Sequence, residues 1–173
     1  MKPSGPRRPQ SRRPKEPRTK FAVDAMHGSL ARKLRALGFD AAYYKEGEDE
    51  GLIETAAEEG RIILSSDRSL VSAAASRDLL AILLKGKSDS SRLREISEGA
   101  TRLGVGLRRG DSLCSLCGKE LQILPRARVA GLVPPSVENS HRLFYRCTSC
   151  GQLYWHGGHW KRLRSLARQL DEK

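Results

Sequence analysis

Two matching pairs of cysteines are the plainest chemical signal in the chain. Cys114-Ser115-Leu116-Cys117-Gly118 and Cys147-Thr148-Ser149-Cys150-Gly151 share one spacing. A two-residue spacer lets both thiolates of a pair reach a single tetrahedral ion, and the glycine that follows permits the tight turn. The interval from Cys117 to Cys147 leaves room for a hairpin or a short irregular sheet. Four thiolates complete the coordination shell, so a structural zinc ion is expected, with Cys114, Cys117, Cys147 and Cys150 as its ligands. A redox pair is the alternative. Metal binding should supply much of the folding free energy of so small a module.

Carboxylates form the second set. Asp24 ends the apolar run Phe21-Ala22-Val23. Asp67 follows Ile62-Ile63-Leu64 by two serines, and Asp49 stands at the mouth of a helix opened by the acidic run Glu46 to Glu50. Asp49 and Asp67 each read either as helix caps or as ligands. An acid directly after a buried strand gains little for stability, so Asp24 is assigned a functional role. Brought to one edge, the three would repel and raise one another's pKa. A divalent cation relieves that repulsion, and hard oxygen donors suit Mg²⁺ or Mn²⁺. Such ions activate water and stabilise the phosphorus centre during phosphodiester hydrolysis. Glu46, Glu48 and Glu50 read as a solvated face, with Glu50 the alternative to Asp49 as ligand.

Basic and aromatic groups lie near both sets. Arg32, Lys33 and Arg35 follow Asp24 and read as phosphate contacts or as solvent-exposed cations. Arg68, beside Asp67, would orient that carboxylate, touch a substrate phosphate or remain on the surface. Tyr154-Trp155-His156-Gly157-Gly158-His159-Trp160 leads into Lys161, Arg162 and Arg164. Interleaved rings and cations can stack bases and meet phosphates, with His159 the candidate contact. Otherwise Trp155 and Trp160 pack the ribbon against the rest of the protein. No role is assigned to His27 or His141.

The elements that must position these groups follow from the apolar pattern. Strands are expected at Lys20–Val23, Phe39–Tyr44, Ile62–Leu64 and Leu79–Leu84, with helices after each. The strands are unbroken apolar runs, which argues for a parallel sheet covered on both faces. In such sheets functional groups collect beyond the carboxyl ends of the strands, where Asp24 and Asp67 stand.

Charge divides along the chain. Residues 1–20 hold eight Lys/Arg and one acid, residues 21–111 hold 14 and 15, and residues 112–173 hold 10 and four. Positive ends around a balanced middle suit a protein that draws in a polyanion. The Pro-, Arg- and Ser-rich start is too polar to pack and is expected to be disordered. No apolar run is long enough to span a membrane. The N-terminus does not resemble a secretory signal, so a cytoplasmic location is expected. There paired cysteines point to metal rather than disulfides.

The string from Phe21 through Asp24-Ala25-Met26-His27-Gly28 to Gly38-Phe39-Asp40 resembles the opening of the Mut-seven C-terminal ribonuclease family. Glu59-Gly60-Arg61-Ile62-Ile63-Leu64-Ser65-Ser66-Asp67-Arg68 resembles its second signature. The resemblance covers about Lys20 to Trp160. It implies a PIN-like α/β domain fused to a zinc ribbon, with Asp24, Asp49 and Asp67 as metal-binding acids and Arg32 as an accessory. The chain departs from the family pattern at His27, where an apolar residue is usual, and at Lys33, where an aromatic is usual. PIN domains commonly use a fourth acid, for which Asp89 is the candidate by position.

The expected architecture is therefore a PIN-like parallel sheet flanked by helices, followed by a small zinc ribbon and a C-terminal helix. The expected boundaries are a basic tail at 1–19, a nuclease domain at 20–110, the ribbon at 111–160 and a basic helix at 161–173. The expected function is metal-dependent hydrolysis of RNA by Asp24, Asp49 and Asp67, with Arg32, Arg68 and His159 binding substrate. The rival is a non-catalytic module that binds RNA or another protein.

Overall fold

Each apolar run becomes a strand, and polar or glycine-containing turns separate the strands from helices. The computed structural model describes residues 17–45 and 49–170. Most of the expected tail, Glu46 and Glu48, and residues 171–173 lie outside the described residues.

The first half runs β1 (Lys20–Val23), α1 (Gly28–Ala36), β2 (Asp40–Tyr43), α2 (Asp49–Glu59), β3 (Ile62–Ser65), α3 (Arg68–Ala75), β4 (Ala81–Leu83) and α4 (Asp89–Arg102). A 3-10 turn, Ala25–His27, joins β1 to α1. All strand pairs are parallel, in the order β2-β1-β3-β4. The chain therefore leaves β1 in one direction and returns to build on its other side. That reversal makes the gap beyond the carboxyl ends of β1 and β3 the switch point of the sheet, where open α/β folds place their sites.

Alternate strand residues face opposite layers. Phe21, Val23 and Leu64 pack with Leu30, Leu34, Leu93 and Ile96, while Ala22 and Ile63 pack with Leu52, Ile53 and Leu70. With every residue of β3 buried, each large side chain there contributes about 1.5–3 kcal/mol through burial. Gly38 ends the α1 turn at φ +95°, and a Cβ there would run into the carbonyl oxygen of Gly110. Only glycine meets both demands.

The second half is a small antiparallel sheet, β5 (Leu121–Pro125), β6 (Leu143–Cys147) and β7 (Leu153–Tyr154), with a short helix α5 (Pro135–Ser140) between β5 and β6. Val129, Val133 and Phe144 form its own core, and Trp155 packs there. Trp155 thus serves the ribbon's interior rather than its seam with the α/β domain. Helix α6 (Gly158–Leu166) begins before the expected boundary at 161. Ala167 and Leu170, in the 3-10 turn that follows, are buried in the same core as Leu93 and Ile96. The basic C-terminal helix therefore has an apolar side that closes back on the α/β domain. No described helix is long and apolar enough to cross a membrane.

Candidate active site and thiol centre

Asp24 and Asp67 leave the sheet from adjacent strands, since Val23 pairs with Leu64. The fully buried Ser65 lies between them. Its hydroxyl donates to Asp24 Oδ2 at 2.6 Å and accepts the backbone N–H of Asp67 at 2.9 Å. The Asp24 N–H donates in turn to the Leu64 carbonyl at 3.1 Å. A second stitch joins the same two loops, where His27 Nε2 meets Ser66 Oγ at 2.8 Å. His27 is buried, and its Nδ1 has no hydrogen-bond partner. Burial pushes the imidazole pKa down, the charge of Arg92 adds to this, and Asp24 opposes it. A neutral ring beside the carboxylate follows from that balance.

Asp67 also caps α3, with Oδ1 accepting from the N–H groups of Ser69 at 2.6 Å and Leu70 at 3.3 Å. Among the described residues, Asp24 Oδ1 and Asp67 Oδ2 accept no hydrogen bond. Asp49 lies exposed in the first turn of α2, and the three aspartates do not bring their ligand atoms within 4.8 Å of one another. Glu50, its proposed substitute, is engaged by Arg77 at 2.6 and 3.0 Å, and that bond holds its carboxyl below the usual range.

The residues fit a hard divalent cation in part. Among the described residues, only the cysteines form a group of three or more His, Cys, Asp or Glu with ligand atoms within 4.8 Å of one another. The three aspartates are therefore no ready-made three-oxygen shell. Mg²⁺ is commonly held by one or two carboxylates with several waters retained. Asp24 and Asp67 each keep one oxygen free of hydrogen bonds among the described residues, which is compatible with that lesser requirement.

The four thiols do form a complete shell. Cys117 Sγ lies 3.4 Å from Cys147 Sγ, and Cys114 Sγ lies 3.6 Å from Cys150 Sγ. Tetrahedral thiolates about 2.3 Å from a shared ion stand near 3.8 Å apart, whereas a disulfide would require about 2 Å. Gly118 and Gly151 turn each knuckle at φ +76° and +74°. The N–H groups of Ser149 and Cys150 both aim at Cys147 Sγ from 3.4 Å. Burial would raise the Cys147 thiol, but these amides outweigh it and hold the pKa at about 6. The Gln152 amide favours the Cys150 thiolate, yet burial and the surrounding sulfurs push that thiol up to about 12. Four sulfurs so close ionise together only around a cation.

A family model described as Mut7-C RNAse domain matches residues 19–167, which is most of the chain. The chain belongs to the Mut7-C RNAse domain family. No curated protein and no solved structure matches it.

Within this Mut7-C domain the remaining candidates fall in different places. Arg32 and Arg68 are exposed on α1 and α3. Lys33 reaches Ser29 Oγ at 2.6 Å and Asp89 at 2.9 Å, so both Lys33 and the candidate fourth acid are already paired. Arg35 is neither a phosphate contact nor a solvent-exposed cation. It is buried, and it donates to the carbonyls of Ala41 at 2.7 Å, Leu116 at 2.7 Å and Ser115 at 3.2 Å. It therefore ties α1 to the first knuckle. His159 is exposed on α6, far along the chain from the acids. Ser65, Ser66 and His27 were not among the residues singled out for chemistry. The hydroxyls between an apolar strand and its acid were a usable signal, because a carboxylate at a strand end needs donors to orient it. Nothing in the local sequence marks Arg35.

Proposed function

We propose that this chain is a metal-dependent ribonuclease that hydrolyses RNA phosphodiester bonds. The observation that carries the proposal is the Ser65 hydroxyl, which joins Asp24 to the Asp67 turn where the strand order reverses. Family membership supplies RNA as the substrate class. Asp24 and Asp67 would hold Mg²⁺ or Mn²⁺, with Asp49 as the third acid on the rim. When bound, such an ion supplies Lewis acidity to a phosphoryl oxygen and lowers the pKa of water.

The chain's own residues do the rest. Ser65 fixes the Asp24 carboxylate in one orientation, and the α3 cap fixes that of Asp67. The buried His27 holds Ser66, in the loop that carries Asp67. Arg32 and Arg68 supply exposed cations for RNA phosphates, which set the register of the strand without reading its sequence. The proposed division is a nuclease unit at 20–110, a zinc ribbon at 111–160 and a C-terminal helix. Four thiolates suit Zn²⁺, and reduced cysteine pairs suit the cytoplasm.

The rival, a non-catalytic RNA-binding module, draws on the capping role of Asp67. Cleavage of a labelled single-stranded RNA with Mg²⁺ or Mn²⁺ separates the two. Asn keeps a capping oxygen at position 67, so Asp67→Asn changes the charge while sparing the helix. Both Asp24→Asn and Asp67→Asn should lose more than the roughly 10- to 100-fold typical of outer-shell changes. Wild-type rates in either variant would favour the rival.

A further inference from the structure

The ribbon carries a concave surface that the chemistry above does not use. A groove of about 910 Å³ runs between the ribbon sheet, the start of α6 and Arg18. Three rings in its lining form a pile. His156 lies face to face on Trp160, with centroids 4.8 Å apart and planes 8° apart, and it leans on Tyr145 at 4.7 Å and 32°. None of the three belongs to the ribbon's core, which Val129, Val133 and Phe144 fill with help from Trp155. His156 is exposed although it contacts both of the other rings. Packing the ribbon does not require this arrangement.

The polar groups are as telling as the rings. Arg18 lines the groove, and its Nη1 is buried with no hydrogen-bond partner. A buried guanidinium nitrogen with nothing to donate to costs stability, and an incoming acceptor would relieve that cost. His159 lines the same groove, while Lys161 and Arg162 are exposed on the next turn of α6. Planar rings interleaved with cations match a flexible polymer of planar bases and phosphates. A duplex buries its base faces in its own stack and cannot offer them to side-chain rings.

We propose that this groove binds unpaired RNA, with a base stacked on the Tyr145–His156–Trp160 pile and a phosphate at Arg18. The ribbon would then act as a capture site for single strands, separate from the acids at the sheet edge. The identity of the polymer rests on the ribonuclease reading, whereas the stacking surface does not.

Both tryptophans of the chain, Trp155 and Trp160, line the groove, so intrinsic fluorescence reports on it directly. The zinc-loaded full chain is titrated with oligouridylate, without Mg²⁺ or Mn²⁺, and separately with an RNA duplex of equal length. Saturable quenching by the single strand is expected, with the duplex binding at least about tenfold more weakly. Trp160→Ala should weaken binding about tenfold or more, as loss of one base-stacking ring does. His156→Ala and Arg18→Gln, which disturb less packing, should each weaken it several-fold while the zinc content stays unchanged. Absence of saturable quenching, equal affinity for the duplex, or unaltered affinity in His156→Ala and Arg18→Gln would each overturn the proposal. Quenching without any cleavage under Mg²⁺ would defeat the ribonuclease reading alone. Cleavage without quenching would defeat the capture site alone.

Discussion

Ser65 is the residue on which the site's geometry turns, because one buried hydroxyl serves two loops. Ser65→Ala removes the donor to Asp24 and leaves the Asp67 N–H without its acceptor. The expected cost is about 1–3 kcal/mol in denaturant unfolding. His27 makes a prediction about pH. Its pKa is lowered in the folded protein by burial, then by Arg92, so the folded state binds fewer protons than the unfolded state as pH falls below 6.5. Its contribution to stability is present above the unfolded pKa and is lost as pH falls toward the folded one. The melting temperature should therefore drop more steeply below pH 6.5 in the wild type than in His27→Leu, and parallel curves would contradict this. Asp24 was legible in the sequence because a charge at the end of a buried run stands out. His27 was not, since a histidine at a helix start carries no sign of its burial.

At the scale of elements, the four strands and their helices followed from unbroken apolar runs and glycine stops. The run Leu79 to Leu84 gave only the short strand Ala81–Leu83, because Asp78 turns the chain at φ +58° just before it. Parallel pairing was legible, but the order of the strands was not. That order depends on which faces of which helices meet, and it is what sets Asp24 beside Asp67. Helix α3 offers a test that separates capping from chemistry. Asp67→Ala should cost about 1 kcal/mol through the lost cap, and Asp67→Asn much less, as measured by thermal melts. If both variants melt alike, the cap observed at Ser69 and Leu70 contributes little.

Over the whole molecule, the thiol centre and the α/β domain are joined, among the described residues, by backbone hydrogen bonds and by the buried Arg35 guanidinium. The Leu113 N–H donates to the Arg35 carbonyl at 2.9 Å, and the Gly110 N–H donates to the Gly38 carbonyl at 3.0 Å. With the Arg35 guanidinium on the first knuckle, the seam is polar, and apolar periodicity cannot reveal it. The same holds for the C-terminal turn, whose Ala167 and Leu170 lie in a stretch that reads as basic. If the four thiols hold a metal ion as proposed, its chelation should lower the melting temperature. It should also expose residues 111–157 to protease before residues 20–102, because the ribbon's core is only a few side chains. Simultaneous loss of both regions would mean that the seam makes them one cooperative unit.

The proposed nuclease site requires that Asp24 and Asp67 share a cation. Calorimetric titration of the zinc-loaded protein with Mn²⁺ tests it most directly. Saturable binding in the wild type, weakened at least about tenfold in both Asp24→Asn and Asp67→Asn, is the predicted result. Mn²⁺ affinity that is the same in the wild type and both variants would contradict it.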